Sequence, residues 1–229
     1  LFAKMLRSPH SHARIKNIDL TNALNRPGVI AALTGRDMPI RFGILPVSQD
    51  EEALCVDKVR MIGDPVAAVA AIDEETAEAA LEDILVEYEL LPSVLTIEDG
   101  LKDLEESELE NSQIHAYADS GNIHKKVALE FGDTVAGFAE ADHVREELYY
   151  YEGNTHLPME QHASVAKHGA DGRLSLWSST QTPHYVHRAL AKVLEMSASQ
   201  IRVIATPVGG GFGGKTDPFQ HEIVVSKLA

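Results

Sequence analysis

The sequence predicts an α+β protein built as two successive units, and three observations predict it. Short apolar runs with a strand's period alternate with helical windows along the whole chain. A stretch crowded with carboxylates, residues 98–110, separates two such sets. The length of 229 residues has room for one large domain or two ordinary ones.

Each element follows from its local chemistry. Residues 1–6 read as the middle of a strand. Residues 13–18 keep a period of two, Thr21 is placed to cap a short helix that Pro27-Gly28 ends, and residues 29–33 form another strand. Pro65 precedes the apolar run 66–72, which suits a strand buried on both faces. Asp73 then caps a helix over residues 74–83 whose Thr76, Ala79, Ala80 and Leu81 can face inward; residues 84–90 return as a strand ending at Leu91-Pro92. Residues 1–92 are therefore assigned to a small α+β unit. In the stretch 98–110, seven acidic side chains stand against Lys102, and like charges at that density build no core. Residues 93–114 are expected to be a solvated connector.

The second unit, residues 115–229, is expected to hold a helix at 134–141 and a strand at 143–152 running through Tyr149-Tyr150-Tyr151. Residues 161–167 and 173–178 alternate around Asp171-Gly172, a hairpin signal. Val186, Leu190, Val193 and Leu194 stripe a helix over residues 184–196. A strand at 201–208 leads into a glycine-rich loop, and Pro218 suits the first turn of a closing helix. Both ends read as cut from a longer protein, since the chain opens inside a strand and stops inside a helix.

Composition narrows the function classes. A formal charge of −15 argues against nucleic acid and anionic membranes, which need a basic surface. No apolar run approaches the roughly 20 residues of a membrane span, and no leader pattern opens the sequence, so the expectation is a soluble cytoplasmic protein. Cys55 is the one cysteine, whereas an iron–sulfur cluster takes about four thiolates. Any cluster the chemistry needs must sit on another chain.

The strongest chemical signal is Gly209-Gly210-Gly211-Phe212-Gly213-Gly214-Lys215 between a strand and a helix. Glycines let backbone amides approach a ligand, and a helix N-terminus behind them favours an anion. Gly209-x-Gly211-x-x-Gly214 matches a dinucleotide fingerprint, and Gly209-x4-Gly214-Lys215-Thr216 matches a P-loop. The first expects an acidic residue about 20 positions on, but 15 residues follow Gly214. The second needs a later strand carrying a magnesium-binding Asp, for which these 229 residues have no room, so a P-loop nucleotide-binding module stays a distant alternative. Phe212 inside the loop suits the wall of a reaction centre better than a phosphate cradle.

A third reading is a resemblance. With Ser179-Thr180-Gln181-Thr182-Pro183 ahead of it, the loop resembles the first molybdopterin-binding segment of the xanthine oxidase family. Arg7-Ser8-Pro9-His10-Ser11-His12-Ala13-Arg14-Ile15, Gly63-Asp64-Pro65-Val66-Ala67 and His156-Leu157-Pro158-Met159-Glu160 match that family in order. The resemblance implies a ferredoxin-like hammerhead α/β domain followed by the start of a molybdenum-cofactor domain. Within the family, Phe42-Gly43-Ile44-Leu45-Pro46, residues 57–74, Gln181-Thr182-Pro183-His184-Tyr185-Val186-His187 and Ile201-Arg202-Val203-Ile204 are similar to the 4-hydroxybenzoyl-CoA reductase type. Thr216 stands where purine hydroxylases carry a substrate-binding glutamate. Lys215 departs from that reductase, where arginine is expected.

The resemblance further implies site roles. Gln181, Gly211, Phe212 and Gly213 would bind the cofactor, with Gln181 and the Gly213 amide as donors and the Phe212 ring limiting access. Glu160 and Thr216 are substrate-site candidates, and a structural pairing of Glu160 with backbone amides is the plain alternative. The cofactor would be molybdenum with molybdopterin, in its cytosine dinucleotide form, held by the pterin rather than by protein ligands. Iron–sulfur and flavin partner subunits would complete a hetero-oligomer. The expected reaction is reductive dehydroxylation of a 4-hydroxybenzoyl-CoA thioester; the alternative is hydroxylation of an aldehyde or N-heterocycle. The catalytic residue would lie beyond Ala229. His156, Glu160 and His162 have metal-ligand spacing but need not converge. His184 and His187 share a helix face, and His10 and His12 are expected to be structural.

Overall fold

A computed structural model describes residues 1–45, 48–115 and 121–229. Its first unit holds β1 (Phe2–Arg7), β2 (Ala13–Asp19), α1 (Thr21–Asn25), β3 (Val29–Thr34), β4 (Lys58–Val59), β5 (Pro65–Ala71), α2 (Glu74–Glu82) and β6 (Leu85–Leu90). Two antiparallel sheets share these strands, in the orders β1-β5-β3 and β4-β2-β6. All of β5 is buried, as its unbroken apolar run requires, because it is the central strand with covered faces. The Asp73 carboxylate accepts from the Thr76 amide at 2.7 Å and starts α2. Ala77 and Ala80 make its buried stripe, with Thr76, Ala79 and Leu81 at the margins. Thr21 does not cap α1 but opens it; its amide donates to the Asp19 carboxylate at 2.9 Å. Pro46 of the Phe42-Gly43-Ile44-Leu45-Pro46 segment lies outside the described residues.

The acidic connector is exposed, as its charge dictates, yet it forms α3 (Ile97–Gly100) and α4 (Glu106–Ser112). Acidic residues fill the first turn of each, where they complement the helix dipole. α4 returns to the first unit through Arg14, whose guanidinium donates to Glu110 and Asn111.

After α5 (Thr134–Glu140), the expected strand at 143–152 does not form. Leu148, Tyr149, Tyr150 and Tyr151 are exposed. Alternation defines two faces but cannot supply a neighbour, and no strand edge among the described residues pairs with this segment.

The second sheet system is β7 (Ser164–His168), β8 (Leu174–Ser178) and β9 (Ile201–Ala205). β7 and β8 form the expected hairpin, whereas β8 and β9 run parallel and are joined through α6 (Pro183–Val193). α6 buries Val186, Ala189, Leu190 and Val193 and stops short of residue 196, where Glu195 takes φ of 53°. β9 ends at Ala205, before Pro207, which has no amide to donate. The closing helix α7 (Gln220–Leu228) begins after Pro218, not on it. The Glu222 carboxylate accepts the Phe219 amide at 2.9 Å and fixes that start.

One core joins the two units. Met38, Phe42, Leu54 and Ala68 pack with Leu174, Leu176, Leu190 and Ile223. The shared core therefore holds β9 and α7, which flank the glycine loop, and β8 and α6, which flank Gln181, against one base. No helix among the described residues is long and apolar enough to cross a membrane.

Candidate functional site

The loop between β9 and α7 lies against the segment 156–160 and against Gln181, and most of its glycines face protein. A Cβ on Gly209 would sit 2.8 Å from the Glu160 Cβ, and one on Gly214 would sit 2.8 Å from the His156 ring. One on Gly211 would meet the Gln181 amide oxygen at 2.5 Å. Gly213 differs, because its φ is +89° and no atom approaches a notional Cβ within 3.9 Å. Glycine is needed for backbone conformation there and at Gly210, where φ is +102°, and for close packing at Gly209, Gly211 and Gly214.

Phe212 also lies in the left-handed region, at φ 51°, and its side chain is 75% exposed. Leu157 in the facing segment takes φ of 38°. Such conformations cost on the order of 1–3 kcal/mol and persist where the surroundings over-determine them. Two strained residues thus flank one surface.

The hydrogen-bond accounting shows what that surface offers. The Gly209 amide donates to Glu160, the Gly214 amide to the Gly211 carbonyl, and the Lys215 amide to the Gln181 Oε1. Among the described residues, the amides of Gly210, Gly211, Phe212 and Gly213 have no protein acceptor. Gln181 is clamped to Lys215, its own amide donating to the Lys215 carbonyl at 2.9 Å. With Oε1 engaged, its NH2 group remains as a donor on an exposed residue. A row of free donors beside a positive-φ glycine is a cradle for oxygen atoms carrying negative charge.

Lys215 is turned away from this surface. Its side chain is fully buried and its ammonium donates to the Glu160 Oε2 at 2.7 Å. That ion pair, first, and the Gly209 amide, second, hold the Glu160 carboxyl below the usual carboxylate range. A P-loop lysine must reach β- and γ-phosphates, which this one does not do. Sequence reasoning missed this role, because nothing local marks a pair 55 positions apart.

The remaining candidates are dispersed. Thr216 is half-buried and its hydroxyl donates to the Gly213 carbonyl at 2.6 Å. His156 lies beside Gly214, whereas His162 packs edge-on against Phe219 and faces His221 at 5.5 Å. No group of three His, Cys, Asp or Glu side chains among the described residues is arranged to hold a metal ion. His187 bonds the Ala198 and Ile201 carbonyls through Nε2, while His184 is exposed. His12 is buried with Nδ1 2.6 Å from the Pro92 carbonyl, and His10 stacks edge-on with Tyr88. Behind the loop, burial pushes His221 down to about 4, with His162 and Arg7 adding to the effect.

Comparison with known proteins identifies the family. Residues 114–229 match the model of a molybdopterin cofactor-binding domain. Residues 1–92 match that of the aldehyde oxidase and xanthine dehydrogenase a/b hammerhead domain. The chain is 38% identical over 219 residues to the nicotinate dehydrogenase large molybdopterin subunit of Eubacterium barkeri, covering 95% of this chain and 49% of that one. It is 38% identical over 220 residues to a probable xanthine dehydrogenase subunit of Bacillus subtilis, covering 95% and 28%. Quinoline 2-oxidoreductase from Pseudomonas putida superposes with a TM-score of 0.86 at 30% identity, over 99% of this chain and 29% of that one. The chain thus spans half or less of the length of these relatives.

Proposed function

Because the chain belongs to the xanthine oxidase family of molybdopterin-binding large subunits, we propose that its glycine loop and Gln181 form one wall of a molybdenum-cofactor site in a multi-subunit oxidoreductase. The observation that carries the reading is the run of amides from Gly210 to Gly213 without protein acceptors, beside the free NH2 of Gln181. These groups suit a ligand rich in oxygen and negative charge, and the open space at Gly213 leaves room for its approach.

In this reading residues 1–92 are the hammerhead domain, 93–114 a connector, and 115–229 the beginning of the cofactor domain. Gly211, Phe212 and Gly213 present their amides to the cofactor's oxygens, and Gln181 adds a side-chain donor. The exposed Phe212 ring shields the approach to them. When bound, molybdenum with its pterin, in the cytosine dinucleotide form, supplies two-electron redox chemistry. Iron–sulfur and flavin centres on partner subunits exchange the electrons; Cys55, the one cysteine of these 229 residues, holds no cluster by itself. The assembly works in the cytoplasm.

Two substrate readings have separate support. Hydroxylation of an N-heterocycle is favoured by the similarity to a nicotinate dehydrogenase subunit and to quinoline 2-oxidoreductase. Reductive dehydroxylation of 4-hydroxybenzoyl-CoA is favoured by the segments around Phe42 and 57–74, and by Thr216 in place of a purine-binding glutamate. An aldehyde substrate is the third arm of the test. The full-length protein, purified with its partners, is expected to carry molybdenum and pterin; finding neither would refute the proposal. Turnover on nicotinate, xanthine, an aldehyde and 4-hydroxybenzoyl-CoA then assigns the branch.

A further inference from the structure

We propose that Glu160 is a positioning residue whose carboxylate clamps both ends of the glycine loop, so that the free amides are presented in a fixed row. The inference rests on the cofactor-site reading and gives Glu160 a role other than substrate contact. One oxygen, Oε2, accepts the Gly209 amide at 2.7 Å and the Lys215 ammonium at 2.7 Å. Those two partners bracket the residues whose amides have no protein acceptor, Gly210 to Gly213. A single anionic atom therefore sets the distance between the loop's ends.

The surroundings make this clamp stiff. Lys215 has no exposed side-chain surface, and its backbone is held on both sides by Gln181. An ammonium taken out of water stays charged only against a paired anion. Gly209 touches the Glu160 stem so closely that a Cβ would stand 2.8 Å from it. Glu160 itself follows Leu157, held at a positive φ of 38°. The ion pair also cancels the lysine's charge. The loop then meets its ligand with oriented N–H dipoles, without a free cation that would equally attract any phosphate.

The test uses the full-length protein with its partners, prepared with and without cofactor. Hydrogen exchange of the hydrogen-bonded loop amides, those of Gly209, Gly214 and Lys215, in the cofactor-free form is the first readout. Glu160→Gln keeps an acceptor for the Gly209 amide but leaves Lys215 without its anion, and exchange in the loop is expected to rise about tenfold or more. The β7–β8 hairpin should keep its protection. Adding Lys215→Met to Glu160→Gln removes the stranded cation and should recover part of the protection. In the loaded form, Glu160→Gln should lower kcat per bound molybdenum while KM stays within about twofold, as expected of a residue that positions the cofactor wall without touching substrate. Unchanged loop exchange, or a raised KM at constant kcat, would overturn the proposal, the latter showing a substrate contact instead. Should Glu160→Gln not accumulate folded, Glu160→Asp draws the oxygen back by one methylene and carries the same comparison. Loosened exchange then supports the clamp, and wild-type exchange overturns it. Absence of molybdenum and pterin from the wild-type protein would sink the cofactor reading without touching the exchange result.

Discussion

Gly211→Ala and Gly213→Ala are expected to destabilise the loop for different reasons, and a double-mutant cycle with Gln181→Ala separates them. At position 211 the new methyl would lie 2.5 Å from the Gln181 Oε1 and 2.7 Å from its Cδ. Those atoms end a flexible side chain, so relief comes by rotating Gln181 away and forfeiting its bond to the Lys215 amide. A lost, partly buried hydrogen bond costs about 1–3 kcal/mol. Gln181→Ala forfeits the same bond, so the double variant should cost little more than Gln181→Ala alone, a coupling of about 2 kcal/mol. At position 213 there is no clash within 3.9 Å, and the cost lies in a φ of +89°. Placing an L-residue in the left-handed region costs roughly 1–2 kcal/mol whatever Gln181 does. That variant should add to Gln181→Ala within about 0.5 kcal/mol. Shifts in urea midpoint at constant m, read on the full-length protein, give all five values. Additive behaviour at 211, or rescue by Gln181→Ala at 213, would refute the reasoning.

Other outcomes follow from the same geometry. Leu190→Ala opens a cavity in the core shared by both units, where Leu190 is fully buried, and should cost about 3–5 kcal/mol in urea unfolding. Asp73→Ala removes the α2 cap seen in the Thr76 bond, and a loss of about 1 kcal/mol is expected from the same measurement. His221 stays neutral in the folded chain down to about pH 4 because it is buried, whereas the unfolded chain protonates near pH 6.5. Its contribution is therefore complete above pH 6.5 and is lost as pH falls toward 4, by at most about 3 kcal/mol. His221→Gln should flatten the melting temperature between pH 7 and 4.5; an unchanged slope would place the acid sensitivity elsewhere.

Much of the fold is legible in the residues because its signals are local. β5 announces itself as an apolar run, α2 by Asp73, the β7–β8 hairpin by Asp171-Gly172, and α6 by its stripe. Each is a choice the backbone makes among near neighbours. Residues 143–152 show the limit: their alternation is real, but a strand exists only against another edge. The start of α7 is a smaller case, set by the Glu222 capping bond rather than by Pro218.

The glycine loop shows the same division. Sequence by itself determined its composition, its place between a strand and a helix, and its company: Gln181 ahead, Phe212 within, and the earlier segments in family order. Those features come from side-chain identity and chain order, so they can be read without coordinates. Tertiary structure decided what each residue does there. It turned Lys215 inward to Glu160, spent Gly209, Gly211 and Gly214 on packing, and left the amides of Gly210 to Gly213 without protein acceptors. The reason is physical: direction and desolvation arise only when residues 156–160, 181 and 209–215 are brought to one surface, and the order of the chain does not encode them.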